Sequence, residues 1–315
     1  MTYHILHITS PNCRLTVDKG LLFCAYKNGD AKMIAINDIK ALIIATFGVS
    51  FSGSCLAKLL ENNVVVLHCD DKFKPTGLSL PLERIVRQKV FYNQIARNEE
   101  FELMLWKQIL KSKVSNQAKN LDLMGITGHN LYKLINRPLM NEANIARYYW
   151  QNYFKYFQNS LKREHKDAKT FENGCLNYGY AILNSLIHRS VIIHGMLAGL
   201  GIHHKGKYKS TPFVYDLMEP YRPFIDYYFY KFTNDFDEAY EFEDFKAWAL
   251  YVADCIKNYR LKITDISYKI VDTIDIYVEK FADAYLNFDF SNIFMPELEK
   301  QYLHINKHRN REYAE

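Results

Sequence analysis

Little in this chain marks it as a tail, a linker or a secreted scaffold. Only 13 Gly and 8 Pro punctuate 315 residues, and 49% of the side chains are hydrophobic against 24% charged. Such a chain can bury enough apolar surface to offset the entropy of ordering it, which excludes disorder. No window reaches the roughly 18 uninterrupted apolar residues of a spanning helix. Lys40 and Gly48 interrupt even the apolar segment around Ile43, so no membrane partner is expected. The opening residues, Met1-Thr2-Tyr3-His4-Ile5, lack a basic stretch followed by an apolar one. A soluble, cytoplasmic chain without a secretory leader is therefore expected. Cys13, Cys24, Cys55, Cys69, Cys175 and Cys255 stand apart with no CxxC pair, which argues against a zinc knuckle or redox motif and for buried thiols. Neither sign of charge dominates. Lys plus Arg number 40 against 35 Asp plus Glu, and the net +5 permits a polyanionic partner without demanding one.

Aromatic residues are plentiful instead: 24 Tyr, 20 Phe and 3 Trp. A tyrosine combines an apolar body with a polar edge, so the boundary of a core is its expected place. At this length two domains are expected, and the hydrophobic pattern divides the chain accordingly. From residue 3 to 69, short runs rich in Ile, Val, Leu, Tyr and Thr alternate with turn chemistry at Pro11-Asn12, Lys19-Gly20 and Asn28-Gly29-Asp30. That pattern predicts strands over 3–9, 12–18, 21–27, 31–36, 40–46 and 63–69, with one helix over 53–61. Residues 71–82, polar and broken by Pro75, Gly77 and Pro81, read as a linker. Beyond it the period becomes helical, over 83–119, 142–164, 173–200, 216–232, 244–260 and 267–285. The expected class is α+β: an N-terminal, mostly β domain over 1–70 and a larger all-α domain over 83–315.

Groups able to do chemistry are concentrated in the helical part. Gly201-Ile202-His203-His204 is followed by Asp216-Leu217-Met218-Glu219-Pro220-Tyr221-Arg222-Pro223. Asp216 and Glu219 fall on one face of a helix that starts near Tyr215, as ligands would, although first-turn acids also simply suit a helix dipole. Glu142 opens another helix, in Asn141-Glu142-Ala143-Asn144-Ile145-Ala146-Arg147-Tyr148-Tyr149-Trp150. Two carboxylates and an imidazole make an oxygen-rich, nitrogen-containing set. Such a set suits Mg²⁺ or Mn²⁺ better than structural zinc, and in outline it is a phosphoryl-transfer site.

These segments, with Leu176-Asn177-Tyr178-Gly179-Tyr180-Ala181-Ile182-Leu183 between them, resemble in order the motifs of the CRISPR-associated spacer-acquisition integrases. That family is the larger, universal subunit of the adaptation complex in bacterial CRISPR systems. Leu105-Trp106-Lys107-Gln108-Ile109, with Lys113 and Asn116-Gln117-Ala118-Lys119, resembles the form found beside single-protein effector nucleases. The resemblance implies metal ligands at Glu142, His204 and Glu219, with Asp216 and His203 as alternative or supporting groups. It implies an endonuclease and integrase acting in antiviral defence, in which the 3′-hydroxyl of a protospacer attacks a phosphodiester at the repeat array. Its implied partners are double-stranded DNA, a second copy of the chain through the β domains, and a small ferredoxin-like subunit, at the prokaryotic nucleoid. A basic helical run is ordinarily a solvated face. In a DNA enzyme, Arg84, Arg87, Lys107, Lys111 and Lys113, with Arg147 and Arg222 nearer the metal, become candidate phosphate contacts. Two other readings fit the residues: a nuclease of branched or single-stranded DNA that does not integrate, and a non-catalytic DNA-binding assembly protein whose acids only cap helices.

Overall fold

The computed structural model describes residues 4–27, 29–70, 72–82, 87–135, 142–157, 161–165, 168–204, 210–235 and 244–300. Its N-terminal part runs β1 (His4–Ile8), β2 (Arg14–Asp18), β3 (Leu21–Ala25), β4 (Ala31–Ala35), β5 (Ile39–Ile44), β6 (Ser50–Phe51), α1 (Gly53–Glu61), β7 (Val65–Cys69) and β8 (Pro75–Ser79). One sheet has the order β4-β3-β2-β6 and the other β1-β5-β7-β8. The β2–β3 hairpin turns on Lys19 and Gly20, at φ 47° and 77°, the double left-handed geometry that two-residue hairpins favour. In α1 the Ser52 hydroxyl accepts from the Cys55 N–H, a side-chain cap of the kind its sequence predicts.

Every residue of β5 is buried, because it lies between parallel neighbours and is covered on both faces. Its side chains divide by alternation. Leu42 and Ile44, with Val64 and Val66, pack toward the second sheet and α1. Ala41 and Ile43, with Ile5, Val65 and Leu67, enter the large core of the helical part. The two regions therefore share a sheet. The segment read as a linker carries β8, which pairs antiparallel with β7. Pro75 fits there because it is the first residue of an edge strand, where its missing N–H costs no ladder bond.

The helical part follows with α2 (Gln88–Ala96), α3 (Glu99–Leu123), α4 (His129–Ile135), α5 (Glu142–Lys155), α6 (Phe171–Ile193), α7 (Pro212–Met218), α8 (Arg222–Asp235) and α9 (Asp244–Asn258). A hairpin, β9 (Arg260–Ile263) and β10 (Ile266–Lys269), leads into α10 (Ile270–Asn287), so this part is not wholly helical. The helix expected over 83–119 is two helices among the described residues. Arg97 turns left-handed at φ 51°, and the Asn98 side chain accepts from the Phe101 N–H to start α3. Glu99, Glu100 and Glu102 are then first-turn acids, favoured by the helix dipole. Helices α3 and α6 are buried around most of their circumference and form the centre against which the others pack. Many tyrosines lie deeper than a core boundary: Tyr149, Tyr153, Tyr178, Tyr221, Tyr228, Tyr259, Tyr277 and Tyr285 are each 1% exposed or less. The cysteines are free thiols, with all but Cys69 buried. No helix of the described residues is long and apolar enough to cross a membrane.

Candidate active site

Helix α3 directs Lys113 inward, α5 begins at Glu142, and a 3₁₀ turn over Glu219–Tyr221 joins α7 to α8. These elements meet at one ammonium. Lys113 Nζ lies 2.8 Å from Glu142 Oε1 and 2.8 Å from Glu219 Oε2. Arg222 Nη1 stands 3.4 Å from Glu219 Oε1. Lys113 and Glu219 are buried, while Glu142 keeps 31% of its side chain in water. Burial alone would raise the Glu219 carboxyl, but Arg222 and Lys113 outweigh it and hold the group down at about 2. For Lys113, burial pulls downward and the two glutamates pull upward, and the glutamates prevail. Both partners are thus charged.

Beside this cluster, Asp216 of α7 is completely buried and folds the 201–204 turn onto its helix. It accepts from the His203 N–H at 3.0 Å, from the His204 N–H at 3.3 Å, and meets His204 Nδ1 at 2.5 Å. Gly201 makes this approach possible, since a Cβ there would overlap the His204 carbonyl and Pro212. With Nδ1 engaged by Asp216, His204 has Nε2 left to offer a ligand, the arrangement metal-binding histidines use. His203 lies flat on Trp106, ring centroids 4.2 Å apart and planes 2° apart, with Nε2 3.8 Å from Glu142 Oε2. The sequence left Asp216 as a rival to Glu219; its contacts are with the histidine turn, whereas Glu219 meets Glu142 at Lys113.

The basic residues separate. Arg84 lies outside the described residues. Arg87 is paired with Asp283 of α10 at 2.9 Å. Lys107 and Lys111 are exposed on α3, and Arg147 is exposed on α5. Lys113 departs from the expected solvated face, because its turn of α3 is packed and the ammonium is consumed by two carboxylates. Arg222 lies beneath the site, its guanidinium carbon 5.2 Å from the Tyr180 ring centroid.

Two neighbours, Arg163 and His165, were missed in the sequence. Residues 161–165, expected as the end of a helix, are irregular and fold across the start of α6. Arg163 donates to Asn173 at 3.0 Å and to Asn177 at 2.6 Å, and lies over the rings of Trp150 and Tyr180. His165 is depressed to about 4 by desolvation and by Arg163 and Arg222, with Glu219 and Lys113 also within electrostatic range. A cluster of Lys162, Arg163 and His165 next to aromatic-rich α5 was the available clue.

A divalent cation fits the chemistry of this donor set. Two carboxylates already converge on a single cationic position, and an imidazole anchored by a buried carboxylate stands next to it. Among the described residues no three His, Cys, Asp or Glu side chains close on one point as they stand, since the lysine holds that position.

A β region packed through one sheet against a helical domain is a known architecture. The chain superimposes with a TM-score of 0.76 on a casposase bound to its integration product, at 15% identity, covering 99% of this chain and 98% of that one. It matches the Cas6-RT-Cas1–Cas2 complex at TM-score 0.71 and 18% identity, covering 95% of this chain and 36% of that one. The sequence narrows this further. The family model described as CRISPR associated protein Cas1 matches residues 6–246, and the chain belongs to that family. A CRISPR-associated endonuclease Cas1 of Neisseria meningitidis serogroup C is 29% identical over 211 residues, which are 64% of this chain and 66% of that protein.

Proposed function

We propose that this chain is a divalent-metal-dependent DNA endonuclease and strand transferase that inserts short duplex DNA into a CRISPR repeat array. The observation that carries the reading is the convergence of Glu142 and Glu219 on one cationic position beside a carboxylate-anchored His204. Membership of the Cas1 family, whose relatives are named endonucleases, and a fold shared with a casposase on its integration product support it. Glu142, Glu219 and His204 Nε2 would hold Mg²⁺ or Mn²⁺, and Asp216 would fix the His204 ring. A bound divalent ion would supply charge neutralisation at the phosphoryl oxygens and activation of the attacking oxygen.

No side chain is needed as a covalent nucleophile. Arg222, partly buried next to Glu219, keeps that carboxylate ionised and in place. Lys107, Lys111 and Arg147, exposed on the neighbouring helices, would hold phosphates of double-stranded DNA away from the reacting bond. Assembly as a homodimer through the β region, with a small ferredoxin-like subunit, belongs to the same proposal. The fold shared with a Cas6-RT-Cas1–Cas2 complex supports it.

The test is a supercoiled plasmid carrying a repeat array, incubated with a short duplex, Mg²⁺ or Mn²⁺ and the small subunit. Covalent joining of the duplex is expected. Nicking without joining would leave only the nuclease reading, and neither reaction would overturn both. Glu219→Ala and Asp216→Ala run side by side separate ligand from support: Glu219→Ala is expected to abolish joining, and Asp216→Ala to leave a residue that high Mn²⁺ increases.

A further inference from the structure

We propose that Lys113 is a built-in counter-cation that occupies the metal position until DNA phosphate draws it away, so that metal and DNA load the site together. The inference rests on the assignment of Glu142 and Glu219 as ligands. Three observations carry it. The ammonium bridges both carboxylates at 2.8 Å, so each spends an oxygen on the lysine rather than on a metal. Lys113 is 7% exposed, on a packed turn of α3 where Leu110 and Val114 are buried too, so little water reaches its charge. Arg222 already counters Glu219 from the other side, so a divalent ion added beside an unmoved Lys113 would give this small volume an excess of positive charge.

The ammonium therefore has to leave when the ion arrives. Glu142, at the start of α5, is the most open member of the cluster, and Lys107 and Lys111 are exposed elsewhere on α3. A long, flexible lysine can swing toward that open side and meet a phosphate oxygen as a point charge. Linkage then fixes the consequence. If DNA favours the displaced lysine and the displaced lysine favours metal, DNA tightens metal binding and metal tightens DNA binding by the same factor. The protein without DNA would hold metal weakly and would have little stray nuclease activity.

The test is Mn²⁺ affinity measured by electron paramagnetic resonance on the full chain, with and without a short DNA duplex, after subtracting Mn²⁺ bound by the duplex alone. Coupling between two sites is typically about 5–150-fold. Wild type is expected to bind Mn²⁺ about tenfold or more tightly with duplex than without. Lys113→Met is expected to bind tightly without duplex and to lose most of that dependence, while Lys113→Arg, which keeps the charge, stays weak. An unchanged or weakened Mn²⁺ affinity in Lys113→Met, or an equal gain in Lys113→Arg, overturns the proposal. Should Lys113→Met fail to fold, the wild-type duplex dependence decides alone, and its absence overturns the proposal. Wild-type Mn²⁺ binding that survives Glu219→Ala unchanged defeats the ligand assignment itself. Binding that needs Glu219 but ignores Lys113 and DNA defeats only the counter-cation.

Discussion

The molecule contains two clusters of nearly the same composition. At the junction of the β and helical regions, Lys40 of β5 lies 2.7 Å from Asp272 and 2.8 Å from Asp275, with Arg189 of α6 2.9 Å from Asp275. At the candidate active site, Lys113 lies between Glu142 and Glu219, with Arg222 beyond. Each is a buried lysine, two carboxylates and an arginine. They differ in how completely the groups are satisfied. Asp272 and Asp275 stand one turn apart on a single helix, Lys40 Nζ also donates to the Val271 carbonyl, and Arg189 Nε to the Asn63 carbonyl. That cluster is a lock, closed by backbone. Glu142 and Glu219 come from separate elements, Lys113 bonds no backbone carbonyl among the described residues, and an imidazole pair stands alongside. Charge composition alone does not distinguish a lock from a site; whether backbone carbonyls hold the cations in place does.

Paired substitutions should separate the clusters most sharply. Glu219→Ala is expected to lower joining in the plasmid assay by on the order of 10²–10³-fold or more while the circular dichroism of the chain stays native. Asp275→Ala should lower the melting temperature, yet leave the activity per folded molecule near wild type. A normal rate in Glu219→Ala would remove the distinction. The lysines come next. Lys40→Met leaves two partly buried carboxylates with less compensation and is expected to cost about 3 kcal/mol in urea unfolding, unaffected by Mn²⁺. Lys113→Met should also be destabilised, but Mn²⁺ should restore much of the loss, because there an ion can replace the lysine. Equal Mn²⁺ responses from the two variants would make the clusters equivalent.

Another buried carboxylate manages without lysine. Asp226 of α8 accepts from the Tyr149 hydroxyl at 2.6 Å and from the Tyr180 hydroxyl, and desolvation raises its carboxyl from 3.8 to about 6 despite them. The folded chain therefore keeps a proton there that the unfolded chain gives up, and the associated stability is lost as pH rises through 6. Asp226→Asn cannot titrate. Its unfolding free energy relative to wild type is expected to improve by about 2 kcal/mol between pH 4.5 and 7.5. A difference that does not change with pH would place Asp226 with the compensated carboxylates.

Sequence periodicity resolved most elements of both regions, because alternation and helical spacing are local properties. Helix α1 and strands β2 and β3 follow from it directly. The α2–α3 break was hidden because Arg97 adopts a left-handed conformation without glycine, and β8 because Pro75 and Gly77 resemble loop punctuation. Ordered motifs singled out Glu142, His204 and Glu219 as candidates. Nothing in them placed Lys113 between two carboxylates. On the page it is one more base in a basic helix, and only long-range packing selects it, rather than Lys111 or Lys107, to face the carboxylates. Lys40 shows the same limit, since it reads as an interruption in an apolar run while its partners lie at the far end of the chain.

The smallest expected effect concerns the lysines that neither cluster uses. Lys107 and Lys111 lie four residues apart on the exposed side of α3, the same helix that buries Lys113, and so form one basic strip on its solvent face. Exposed lysines held by no carboxylate can release counterions when they meet DNA, and each such contact adds about one to the slope of log affinity against log salt. Charge reversal at both, Lys107→Glu with Lys111→Glu, should lower that slope by about two and weaken duplex binding equally for all sequences. The Arg87→Glu variant serves as the contrast, because Asp283 already holds that guanidinium and the slope should change less. The two α3 lysines also sharpen the comparison of clusters. If they bring phosphate to the open side of Glu142, their reversal should reduce the duplex dependence of Mn²⁺ affinity in wild type and have no such effect in Lys113→Met. A salt slope untouched by the double reversal would move the DNA path off this face of α3.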